Sequence, residues 1–164
     1  MITRSKGSAA AMIVAISLAM PLSPAVAEPD LEAGKSVYRD ANCIGCHKWH
    51  GGGGGGYGGA ALSLRQTALD RDLLIEVIAC GRPSTRMPYH ARGAYKNVDC
   101  YGGSKLSEFG NDAPPKAAKL LRSQQIEAVA DYLIVKLKGQ GEATFEQCAD
   151  FWGGSSRQCA GMKK

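Results

Sequence analysis

The strongest constraint on this 164-residue chain is the pentapeptide Cys43-Ile44-Gly45-Cys46-His47. Cysteines three positions apart sit about one helical turn from each other, so both sulfurs can reach the two vinyl groups on one porphyrin edge. The histidine that follows brings its imidazole under the iron as proximal ligand. The stretch therefore reads as a covalent attachment site for a c-type haem. A thioredoxin-type redox pair also uses this cysteine spacing. A zinc knuckle would need a second such pair, and the chain has none. A plain disulfide or a chance match is the bland alternative. The histidine directly after Cys46 favours haem.

Residues 1–27 read as a cleaved signal peptide. Arg4 and Lys6 form a positive start, residues 9–20 an apolar run too short to span a bilayer, and Ala25-Val26-Ala27 a small-x-small cleavage site. An uncleaved anchor is the alternative. The mature chain of 137 residues suffices for one domain. Export implies an oxidising compartment, here the periplasm. Once Cys43 and Cys46 are assigned to haem, Cys80, Cys100, Cys148 and Cys159 remain, with three possible pairings. Proximity in sequence favours Cys80–Cys100 and Cys148–Cys159. The formal charge is +5; without Arg4 and Lys6, 18 basic stand against 15 acidic side chains, or +3. That balance is too weak to argue for nucleic acid, but it leaves room for a local basic patch that steers an acidic protein partner. No later stretch is apolar enough for stable membrane insertion.

Three helices are expected in the mature chain. Residues 30–40 carry Leu31, Gly34, Val37, Tyr38 and Ala41 on one face, with Asp30 as N-cap. Residues 70–79 carry Leu73, Leu74, Val77 and Ile78, with Gly81 as the stop. Residues 123–138 carry Ile126, Val129, Ala130, Leu133, Ile134 and Leu137, with Ser123 as cap and Gly139 as the end. Between them, residues 82–90 are irregular and residues 91–115 read as an ordered loop closed by Cys100. No strand-like alternation is visible. The tract from Gly51 to Gly59, broken only by Tyr57, reads as a flexible surface loop; the sharper alternative is a backbone lying close against the haem edge.

A haem iron with one histidine leaves a sixth position, filled by Met87, His90, His50 or Met162. Met87 is the best placed: it follows a helix, lies in a polar loop, and has its backbone kept extended by Pro88. Core packing is the ordinary role of a lone methionine. His50, three residues after His47, reads as a surface histidine; His90 reads as solvated, with a place near the haem edge as the alternative. Arg82 and Arg86 flank the ligand loop; they are either solvated or the fork that pairs with a haem propionate, with Arg82 the candidate.

With these pieces in place the chain resembles class I cytochrome c, of the bacterial periplasmic mono-haem kind. The resemblance covers about residues 30–138. It rests on Leu31-Glu32-Ala33-Gly34-Lys35-Ser36-Val37-Tyr38 for the N-terminal helix and on the haem site. Gly81-Arg82-Pro83-Ser84-Thr85-Arg86-Met87-Pro88 matches the axial-methionine stretch, and Ile126-Glu127-Ala128-Val129-Ala130-Asp131-Tyr132-Leu133 the C-terminal helix. It implies an all-α fold around one covalent haem c, with the N- and C-terminal helices crossed at Gly34 against Tyr132. The domain would run over 28–140, followed by a disulfide-bearing extension, 141–164, packed on it. The glycine tract, the long segment after Met87 and this extension depart from the simplest members.

A haem with both axial positions filled has no site for substrate, which points to one-electron transfer rather than an enzyme. The resemblance implies a periplasmic dehydrogenase as donor and an oxidase or second cytochrome as acceptor. The alternatives are a peroxidase-like haem enzyme with a labile sixth ligand, and a haem-holding sensor or subunit.

Overall fold

In the computed structural model, residues 28–55 and 61–163 are described. The expected signal peptide and the Tyr57 end of the glycine tract lie outside them. Helix α1, Leu31–Asp40, starts where Asp30 accepts a hydrogen bond from the Ala33 amide at 2.9 Å. Its apolar face buries Gly34, Val37, Tyr38 and Ala41. The single-turn helix α2, Cys43–His47, follows after two residues. Helix α3, Arg71–Cys80, is capped by Asp70 and stopped by Gly81 at φ 72°. It buries Leu74, Ile78, Ala79 and Cys80, whereas Leu73, expected on the apolar face, is exposed.

Helix α4, Ser123–Tyr132, continues into a wider π turn, Leu133–Leu137, and Gly139 ends it at φ 74°. Its cap is Arg122, whose amide donates to the Gln125 side chain; Ser123 already lies inside the first turn. Ile126, Val129, Ala130, Leu133 and Leu137 are buried as their spacing requires, and Tyr132 joins them. The extension forms helix α5, Phe145–Trp152, which Thr144 caps. Its Phe151 stands edge-on to Tyr38 with ring centroids 6.3 Å apart, while Tyr132 approaches the same Tyr38 ring at 5.7 Å. Residues from α1, α4 and α5 thus share one core.

The expected all-α fold needs one correction. Strands β1, Tyr89–Ala91, and β2, Lys116–Leu121, form a small parallel sheet, with Tyr89 opposite Lys116 and Ala91 opposite Leu121. Three residues are too few to show an alternation, and β2 reads Lys-Ala-Ala-Lys-Leu-Leu with a broken in-out pattern. Residues 106–112 add a 3-10 segment to the long loop. No helix among the described residues is long and apolar enough to cross a membrane.

α1 meets α4 backbone to backbone at Gly34. A Cβ placed there would run into the Ala128 carbonyl and come within 2.6 Å of the Tyr132 Cβ. Alanine would gain up to about 1 kcal/mol in helix propensity, but the obstacle is backbone and cannot swing aside. Gly34→Ala is therefore expected to destabilise the protein by about 1–3 kcal/mol, read as a lowered midpoint in denaturant unfolding. An unchanged or raised midpoint would show that the two helices separate at no cost.

Candidate functional site

The single turn of α2 is bracketed by two residues in the left-handed region, Asn42 at φ 63° and Lys48 at φ 61°. Asparagine tolerates that conformation through its short polar side chain. Gly45 leaves room for it: a Cβ at 45 would lie 2.7 Å from the Asn42 side-chain oxygen. The far end of the turn is held by Tyr38, whose hydroxyl donates to the Lys48 carbonyl at 2.8 Å. Cys43, Cys46 and His47 are thereby placed on one turn, all half-buried.

Cys43 and Cys46 are both free thiols, while the other four cysteines are bridged as Cys80–Cys100 and Cys148–Cys159, the two expected pairs. Burial pushes the Cys43 thiol up to about 12, with the neighbouring Cys46 adding to the rise. A thioredoxin-type nucleophile needs a readily formed thiolate, so Cys43 is not placed to act as one.

His47 Nδ1 lies 3.0 Å from the Leu62 carbonyl. A carbonyl only accepts, so Nδ1 carries the proton and Nε2 keeps its lone pair, the form that binds a metal. Burial lowers the pKa of His47, and the Leu62 carbonyl partly opposes this. The carbonyl is delivered by the glycine tract. Gly51 accepts from the Leu64 amide at 2.7 Å, Gly54 donates to Ala61 at 2.9 Å, and Gly53 donates to His47 itself at 3.3 Å. Gly51 and Gly53 are buried at φ 72° and 70°; a Cβ at 51 would strike Leu137 at 2.8 Å, and one at 53 the Leu62 backbone at 2.7 Å. The first part of the tract is thus packed, not a flexible surface loop, and glycine is needed for its close approach.

Met87 sits in a tight loop that closes on itself. Its carbonyl accepts from the Arg82 amide and its amide donates to Thr85 Oγ1, both at 3.1 Å. Ser84 and Tyr89 donate to Asp112 and Pro115, which tie the loop to the segment before β2. At its base, Gly81 packs on the Pro88–Tyr89 backbone and the Cys80–Cys100 bridge is fully buried. The hydroxyls of Tyr95 and Tyr101 donate to the carbonyls of Cys80 and Gly81. Met87 is half-buried; Arg82 and Arg86 are exposed, with neither guanidinium in a hydrogen bond or ion pair among the described residues.

His90 differs from its expected solvated role. It is buried in β1, with Nδ1 3.2 Å from the Lys119 carbonyl. His50 is only partly exposed; its Nδ1 accepts from the Gly52 amide and its ring stands edge-on to Trp49. Met162 lies beyond Cys159 in the extension. Among the described residues no hydrogen bond or ion pair joins the α2 turn to the Met87 loop. Two contributors escaped the sequence reading: the Leu62 carbonyl, which no side-chain pattern marks, and Arg65, a single arginine among alanines and leucines that proves to be buried.

The family model described as Cytochrome c matches residues 31–134, 104 of the 164 positions. The chain belongs to the cytochrome c family. Neither a curated protein nor a solved structure matches it. Cytochromes c bind haem c covalently and carry electrons, and the donor set fits that group: two free thiols and an imidazole with a protonated Nδ1 on one helical turn.

In this cytochrome c the Cys80–Cys100 bridge closes a span of 20 residues containing Arg82, Met87 and His90. Replacing both cysteines by serine should cost about 3 kcal/mol in the chain-entropy view, measured by denaturant unfolding under non-reducing conditions. A loss well below 1 kcal/mol would mean that the tyrosine hydroxyls and the sheet hold the loop without it.

Proposed function

We propose that this cytochrome c is a periplasmic single-haem electron carrier in which Cys43 and Cys46 hold the haem while His47 and Met87 ligate the iron. The observation that carries the reading is the α2 turn, where two unbridged cysteines adjoin a histidine whose Nδ1 is committed to a carbonyl. The haem supplies reversible one-electron chemistry at its iron. The chain's own residues orient the imidazole, keep the Met87 loop closed and bury the surroundings. Residues 28–140 form the cytochrome domain, with α1 and α4 crossing at Gly34, and residues 141–164 form an extension on it. Residues 1–27 are a cleaved export signal, in keeping with two bridges that persist in an oxidising compartment. Arg82 is free to pair with a propionate.

The partners are a periplasmic dehydrogenase as donor and an oxidase or second cytochrome as acceptor. A recess of about 630 Å³ between β2 and the start of α4 supports an acidic partner surface: Arg92, Lys116, Lys119 and Arg122 line it, with no carboxylate in the lining. One lining residue, Lys119, meets the side chain of His90 through its carbonyl, three residues beyond Met87. Lys119 pairs with Asp40 at 3.7 Å, and the three cations with no ion pair among the described residues, Arg92, Lys116 and Arg122, give a chain of small net charge a directed field.

Met87→Ala in the holoprotein should convert a low-spin spectrum with a weak far-red thioether band into a high-spin or water-ligated one and lower the reduction potential, because thioether ligation raises it. An unchanged spectrum would return the sixth position to His90 or Met162. A wild-type protein that is already high-spin and binds carbon monoxide or cyanide at once would favour a peroxidase-like enzyme.

Lys116→Glu together with Lys119→Glu should slow electron exchange with an acidic redox protein by roughly tenfold at low ionic strength, with the difference vanishing in high salt. Stopped-flow rates independent of both charge reversal and salt would remove the recess from the docking surface.

A further inference from the structure

Arg65 is the most deeply placed cation among the described residues, only 7% exposed, and none of its hydrogen bonds goes to a carboxylate. A buried guanidinium is costly unless its donors are used. Here one nitrogen donates to the His50 carbonyl at 2.9 Å. Another donates to the carbonyls of Gln140 and Glu142 and to Gln147 Oε1, each at 3.0 Å, and Nε donates to the Gly141 carbonyl. The Arg65 carbonyl in turn accepts from the Gly139 amide at 2.9 Å.

These partners fall in two places. His50 immediately precedes the glycine tract that follows the α2 turn, and residues 139–147 lead from the end of α4 into α5. Arg65 itself lies three residues after Leu62, whose carbonyl holds His47 Nδ1. The stretch between is pinned at Leu64, whose amide donates to Gly51. One guanidinium therefore ties the loop that presents the Leu62 carbonyl to the start of the C-terminal extension.

We propose that Arg65 is a positioning residue for the proximal ligand, through which the C-terminal extension holds the Leu62 carbonyl on His47 and thereby sets the reduction potential. This deepens the function proposed above and rests on His47 being the iron ligand. A carbonyl that accepts from Nδ1–H makes the imidazole a stronger donor. A stronger donor favours the ferric state, so loosening the carbonyl should raise the potential. The same bond protects the Nδ1 proton from exchange with water.

The test uses the full-length holoprotein with Arg65→Gln, Arg65→Lys and Gln147→Ala. Two quantities are read: the reduction potential, and the exchange rate of the His47 Nδ1 proton by NMR in the ferrous state. Arg65→Gln loses most of five hydrogen bonds and should raise the potential and speed exchange by about tenfold or more. Gln147→Ala, which removes one extension-side partner together with the Thr144 amide contact at the start of α5, should move both in the same direction by less. Arg65→Lys should restore part of each. If Arg65→Gln folds with both quantities unchanged, or with a lowered potential, the proposal is overturned, even if its melting temperature falls. Should Arg65→Gln fail to fold, unchanged values in the other two variants overturn it equally. His47→Ala separates the two readings. A wild-type spectrum in that variant removes His47 as ligand, whereas an altered one leaves the Arg65 result to decide positioning.

Discussion

The contact of α1 with α4 at Gly34 is the constraint from which the other placements follow. Without a Cβ at 34, the helix backbone lies on the Ala128 carbonyl and the Tyr132 Cβ. That closeness sets Tyr38 beside Tyr132 and lets its hydroxyl reach the Lys48 carbonyl. The α2 turn is two residues from the end of α1, so it inherits its position from the same contact. At the other end of the bundle, the π turn after α4 puts Leu137 against Gly51, which anchors the start of the glycine tract. The Cys43–His47 turn is therefore held on both sides by the helix pair.

The Met87 loop is stabilised differently. It has little apolar packing of its own, and its order comes from covalent and polar ties: a buried disulfide, two tyrosine hydroxyls on successive carbonyls, and backbone bonds to the segment before β2. Tyr89, Tyr95, Phe109 and Tyr101 stack edge to face in a row alongside it. Burial raises the Tyr95 phenol to about 12 and Tyr101 in the same direction, so both remain protonated donors across the ordinary pH range. The long segment after Met87 thus supports the loop it follows.

The extension is part of the same core. Phe151 packs on Tyr38 and Trp49, the Cys148–Cys159 bridge closes its end, and Arg65 ties its first residues to the loop that follows the α2 turn. It is fastened by rings on one side and by a guanidinium on the other. This explains how a short helix of eight residues, which would be marginal alone, is held in a defined place.

The sequence by itself determined the parts whose signal is local. The Cys43–His47 turn, the apolar faces of α1 and α4, the cap at Asp30, and both disulfide pairs follow from spacing and chain proximity. Tertiary structure alone decided what depends on groups with no side-chain signature. The Leu62 carbonyl meets His47 because a glycine tract permits close backbone approach, and backbone acceptors leave no mark in composition. The two strands pair because the long loop returns beside Tyr89–Ala91, although neither segment shows a period of two. His90 is buried rather than solvated because β2 covers it. Arg65, polar by type, is buried because five acceptors converge on it from segments up to 82 positions away. Local periodicity cannot report a convergence of that kind, since it arises only when the folded chain brings distant carbonyls to one point.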